Sequence, residues 1–233
     1  MNEMPGYVSI VFILTTFTAV AFLLQAVKAA GLQTVPAKLL LFLMPLWIIF
    51  QSILAVGGFY QRTEALPPRM MVFGVLPAIV LIAAYFLFFR ANFIDRLPLR
   101  LLTLVHVVRI PVEIVLYWLF IGKLVPQIMT FAGWNYDILS GIFAVIVYLI
   151  AFRAGAINKP LIIAFNLVGI GLLFNIVSIA VLSIPSPMQQ LAFDQPNQAV
   201  LLFPYVFLPT LVVPIVLFSH LAALYKTLRG KTN

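Results

Sequence analysis

An all-α polytopic membrane bundle of seven transmembrane helices is the fold this sequence predicts, and three observations point to it. Hydrophobic residues make up 64% of the chain and charged residues only 9%, more apolar surface than a soluble domain of this size can bury. The apolar residues gather into seven runs, most of them near the roughly 20 residues a helix needs to cross about 30 Å of hydrocarbon. Lys and Arg crowd the alternate loops between those runs. A transmembrane barrel is excluded, because runs such as 78–89 are apolar on both faces where barrel strands alternate.

In chain order the predicted spans are Tyr7–Val27, Leu39–Tyr60, Met71–Phe89, Leu99–Ile121, Asp137–Phe152, Pro160–Ile184 and Val200–Leu224. The first is no cleavable signal: its flank carries Glu3 without Lys or Arg, and its apolar run is too long. The fifth is short and relies on Arg153 reaching back to the headgroups. Connections are short, so residues 1–233 read as one domain.

Basic residues sort by side. Lys28, Lys38, Arg90, Arg96, Arg100, Arg153, Lys159, Lys226, Arg229 and Lys231 fall on one side, against Arg62, Arg69 and Lys123 on the other. Acids lean the opposite way, with Glu3, Glu64, Asp137 and Asp194 on the sparse side. The positive-inside rule then places the N-terminus outside and the C-terminus in the cytoplasm. The net charge of +8 follows from that asymmetry. It implies the lipid bilayer as partner and no nucleic acid, since the basic residues are scattered without interleaved aromatics. With no cysteine, the chain has neither a disulfide nor a thiolate metal site.

Ionisable groups within hydrocarbon each cost at least about 2.5 kcal/mol and call for a reason. The fourth span carries His106, Arg109 and Glu113, whose spacings of three and four stack them on one helical face. Pro111 lies between them and predicts a kink, by removing the bond to residue 107. Two readings are open. Arg109 and Glu113 form a neutralising pair that holds helices together, or Arg109 contacts a small anionic or polar ligand while Glu113 couples a proton. His220 on the seventh span lies at the same depth as His106, about 9 Å from the basic edge. That coincidence raises haem b as a cofactor, with His106 and His220 as iron ligands. No other metal site is expected, for want of ligands.

The sixth span adds Asn166, Gly171, Asn175 and Ser178, read as a glycine for close helix approach flanked by hydrogen-bonding amides. Asn166 and Asn175 are candidate site residues, Asn166 at the level of the histidines. Gln51, Ser52, Thr15, Thr16 and Thr18 are candidates to line the outer half of a cleft. Asn135 or Asp137 is expected to cap the fifth span, and Asn197 the seventh. The loop 185–199 is expected to fold back over the outer mouth. No nucleophile–base spacing or metal motif suggests an enzyme.

The segment Arg109-Ile110-Pro111-Val112-Glu113, followed by Met129-Thr130-Phe131 and residues 135–141, resembles an uncharacterised family of bacterial seven-span membrane proteins. Pro67-Pro68-Arg69 and the seventh-span prolines fit the same likeness. The resemblance implies a bacterial inner-membrane location and carries no activity. A retinal protein is disfavoured because no lysine lies within the seventh span. The functional expectation is thus a small-ligand binding or transport protein with its polar site on the fourth helix facing the sixth and seventh. Two alternatives stand beside it: a haem-binding electron-transfer protein, and a noncatalytic scaffold or complex subunit.

Overall fold

A computed structural model describes residues 4–153 and 157–231; Glu3, counted above among the acids, lies outside them. Among the described residues six helices are long and apolar enough to cross a membrane: α1 (Gly6–Ala30), α2 (Val35–Val56), α3 (Met71–Phe88), α4 (Leu99–Ile121), α6 (Lys159–Leu182) and α7 (Leu208–Leu228). Between α4 and α6 lies α5 (Asp137–Ala151), apolar but only 15 residues long. At 1.5 Å per residue it extends about 22 Å, short of a full hydrocarbon core. No strand occurs among the described residues.

α4 and α7 form the buried centre, while α2 and α3 are the least covered. α7 packs along α6, α6 along α5, and α1 along α4. Large apolar side chains on the outer faces stay uncovered, among them Ile10, Leu14, Phe42, Leu87, Leu149 and Phe174. That belt is what lipid, rather than protein, covers in a membrane bundle.

Prolines shape the helix ends and interiors. The kink expected at Pro111 takes the form of a 3-10 turn, Val105–Val108, just ahead of it. α3 and α7 each begin in a π-turn, Met71–Val75 and Leu208–Val212. Pro77 and Pro214 lack the N–H that would close on the carbonyls of Phe73 and Thr210. α2 supplies the missing donors. Gln51 Nε2 donates to Phe73 O at 2.9 Å and Trp47 Nε1 to Thr210 O at 2.8 Å. Those two side chains are one turn apart, so α2 clasps both proline sites from one face. Gln51 Oε1 accepts from Tyr60 at 2.6 Å, so this glutamine is fully engaged in structure and does not face a cleft.

Several expectations change for similar reasons. The seventh helix starts at Leu208, not Val200: Pro204 and Pro209 lack donors, and Pro209 fits only the first turn, where its missing N–H costs nothing. Asn197 does not cap it. Its N–H donates to Ser183 O (2.8 Å) and its Nδ2 to Ala180 O (3.2 Å). The loop 185–199 does fold back, with Gln198 and Ala199 N–H groups on Leu124 O and Gln195 Nε2 on Phe120 O. Thr15, Thr16, Thr18 and Ser52 each donate to the carbonyl four residues earlier. Their hydroxyls therefore serve their own helices.

At the basic end, Lys226 is fully buried and donates to the carbonyls of Asp95 (2.9 Å) and Leu97, while Lys231 pairs with the Asp95 carboxylate. α7 is thereby fastened to the α3–α4 connection.

Candidate functional site

The interior polar residues converge where α4, α5, α6 and α7 meet. Arg109 is 2% exposed, and its partner is Asp137 at the start of α5, not Glu113. Nε donates to Asp137 Oδ2 at 2.6 Å, and Nη2 to Oδ1 in a bidentate ion pair. Nη1 donates to Ser140 Oγ at 2.7 Å and to His220 Nε2 at 3.1 Å, and Nη2 also reaches Gly169 O at 3.4 Å. All five guanidinium N–H groups are used, so Arg109 has no donor left for an anionic ligand. Asp137 caps nothing: Tyr136 holds the cap position of α5 without a side-chain bond.

The neighbouring contacts settle the His220 tautomer. Asn166 Nδ2 donates to Ile162 O at 2.8 Å, which leaves its Oδ1 to accept from His220 Nδ1 at 2.8 Å. His220 Nε2 is then free to accept from Arg109. The resulting chain, Asn166–His220–Arg109–Asp137, ties four helices together.

His106 and His220 do meet, as their common depth suggested, but as stacked rings with centroids 3.6 Å apart and planes 17° from parallel. An iron shared by two histidines lies in the plane of each ring, beyond a nitrogen. Face-to-face stacking leaves no such position, and both His220 nitrogens are already bonded. The haem reading does not fit this geometry. His106 is fully buried, and neither of its ring nitrogens has a partner among the described residues.

Close packing makes this junction possible through Gly169, not Gly171. Gly171 has open space around it, whereas a Cβ at Gly169 would overlap the His220 ring and meet Ser140 Oγ at 3.0 Å. Gly169→Ala is therefore expected to displace His220 and lower the thermal unfolding midpoint measured in detergent, whereas Gly171→Ala leaves it unchanged.

Glu113, one turn beyond Arg109, has a different environment. Oε1 accepts from Asn135 Nδ2 at 2.6 Å, and that amide also donates to Met129 O. Asn135 Oδ1 in turn accepts from the Asp137 N–H, so the Asn135 side chain links the glutamate to the start of α5. Glu113 Oε2 is buried and without a partner among the described residues. Beside it is a cavity of about 120 Å³, walled mainly by apolar side chains of α3, α4, α6 and α7, with Glu113, Asp137 and Asn197 as its polar members. Asn197 Oδ1 likewise lacks a donor among the described residues. Two residues that each carry an unsatisfied acceptor thus line one small space.

The family described as a domain of unknown function, DUF8737, matches residues 66–228. That range is well over half of the chain and includes α3 to α7 with every residue of this junction. The chain belongs to the DUF8737 family. No curated protein and no solved structure matches it.

Within this DUF8737 protein the junction unites His106, Arg109, Asn166 and His220, with Glu113 at its outer margin. Asn175 stands apart, donating to Trp134 O at 2.9 Å. Asp137, Ser140, Asn135 and Asn197 are the members that sequence reading assigned to capping or passed over. The signal for Asp137 was an acid at the head of an apolar helix, beside a buried arginine in need of a counter-charge.

Proposed function

We propose that this DUF8737 membrane protein binds a small cation or hydrogen-bond donor at Glu113 and couples that binding to a proton, as a transporter does. One observation carries the reading. Glu113 and Asn197, each with a buried oxygen that has no donor among the described residues, line a common cavity. An ammonium or hydroxyl ligand supplies the donors that both lack, and burial of such acceptors without them costs about 1–3 kcal/mol each. A space of about 120 Å³ accepts a guest of a few heavy atoms and no more.

Methylammonium tests this, with tetramethylammonium as a control of equal charge that has no N–H. Methylammonium is expected to raise the unfolding midpoint of the purified protein, and tetramethylammonium to leave it in place. In Glu113→Gln the methylammonium effect disappears. Equal shifts in both proteins would remove Glu113 as the site.

The Arg109 network favours a second reading for that residue alone. Since every donor is consumed within the fold, Arg109 acts as a structural lock, as in a scaffold.

In this reading the chain crosses a bacterial inner membrane seven times, N-terminus outside, with α5 as the short pass. The lysine and arginine distribution supports this orientation. Because the protein has no cysteine, single substitutions report topology cleanly. Lys123→Cys is expected to react with an impermeant maleimide in intact cells, and Arg229→Cys only after permeabilisation.

A further inference from the structure

A second, larger space lies away from the polar junction. It is a cleft of about 430 Å³ between α1, α2, α3 and α7, lined by Leu40, Met44, Trp47, Ala78, Leu211 and Phe218 among others. Its polar donors are already engaged. Trp47 Nε1 holds Thr210 O, the Thr210 hydroxyl donates to Val206 O, and the Tyr85 hydroxyl to Pro36 O. No free donor is left there for a polar guest group, and water does not settle in a space with so few polar contacts.

Its length is informative. The lining runs along α2 from Leu40 to Phe50, along α3 from Pro77 to Tyr85, and along α7 from Thr210 to Phe218. Eight to ten residues of helix correspond to about 12–15 Å. Half of a hydrocarbon core of about 30 Å is about 15 Å. The cleft is thus as long as one leaflet is deep, and it follows the helix axes. Half-exposed Leu46, Phe50 and Leu81 stand at its rim, so it opens onto the face that hydrocarbon covers.

Charge marks one end. The Leu40–Tyr85–Phe218 end lies toward the basic ends of α1, α2 and α3, where Lys28, Lys38 and Arg90 are all exposed. We infer that this cleft holds one acyl chain of an anionic phospholipid from the lysine-rich leaflet, with the headgroup phosphate at Lys28, Lys38 and Arg90. An apolar space of this size forfeits the dispersion contacts of its lining if left unfilled. The molecules that border it in a membrane are lipids. Neutral lipid would occupy the apolar part equally well; the three cations select the charged headgroup.

Native mass spectrometry of the purified full-length protein decides the matter, using phosphatidylglycerol and phosphatidylcholine of identical chains as probes. One phosphatidylglycerol is expected to stay bound after detergent exchange. Ala78→Phe, which fills the cleft, loses it. Lys28→Gln and Lys38→Gln keep a bound lipid but lower the preference for phosphatidylglycerol by about fivefold each. Equal lipid retention in the wild-type protein and Ala78→Phe overturns the site, and equal retention of the two lipids by the wild-type protein overturns the headgroup assignment.

A fluorescence measurement guards against misfolding of the filled variant. In Trp118→Phe/Trp134→Phe protein, Trp47 is the sole emitter, and brominated-chain phosphatidylglycerol is expected to quench it at one lipid per protein in detergent. Absence of quenching at that ratio counts against occupancy.

Discussion

Asp137→Asn is expected to destabilise the protein by about 3–5 kcal/mol, the cost of breaking a buried ion pair from one side. The guanidinium of Arg109 would keep its positive charge while its remaining direct partners, Ser140, Gly169 O and His220, are all neutral. Arg109→Ala is expected to cost a similar amount, now with an uncompensated carboxylate and an unpaired His220 Nε2. Combining Arg109→Ala with Asp137→Asn should recover part of either loss, because neither charge of the pair is left without its partner. Unfolding in mixed detergent micelles, followed by circular dichroism, measures all four proteins on one scale. Additive losses in the double variant would show that the two side chains do not act as a pair.

Glu113→Gln is expected to separate binding from stability. The glutamine oxygen still accepts from Asn135 Nδ2, and no charge is stranded, so stability should stay within about 1 kcal/mol of the parent. Ligand-induced stabilisation is what disappears. A ligand at 100 times its dissociation constant stabilises by about 2.7 kcal/mol, and the variant should lose nearly all of it. Asn135→Leu tests the support: it removes the one donor to Glu113 Oε1, and weaker binding with retained specificity is expected. A destabilised Glu113→Gln protein that still responds to methylammonium would make Glu113 a packing residue instead.

Much of the architecture was legible without coordinates, and for a physical reason. Hydrocarbon demands long apolar helices, so the six long spans are written as composition alone. Helix geometry also put His106, Arg109 and Glu113 on one face, and depth put His106 level with His220. The pairing was not legible. Spacing alone offers Glu113, one turn away, as a partner for Arg109, yet the counter-charge it bonds is Asp137, 28 residues away. Sequence spacing describes neighbours along one helix, whereas a buried guanidinium is satisfied by whichever carboxylate the packing of a second helix delivers.

The same distinction separates Gly171 from Gly169. Both are glycines on α6, and only helix rotation decides that Gly169 faces the His220 ring. Gln51 and Trp47 show it again: as residues they are a polar and an aromatic side chain on a span. Their work, closing the carbonyls that Pro77 and Pro214 leave open, exists only once α2 lies against α3 and α7.

From its order of residues alone this protein declares a membrane bundle, the sorting of its basic residues into alternate loops, and a costly set of charges within it. Those follow from transfer free energies, which depend on residue type and depth. Which charge meets which, which oxygen is left without a donor, and where hydrocarbon has room to enter were decided by helix rotation and packing. Those are properties of distances between helices, and no local pattern encodes them.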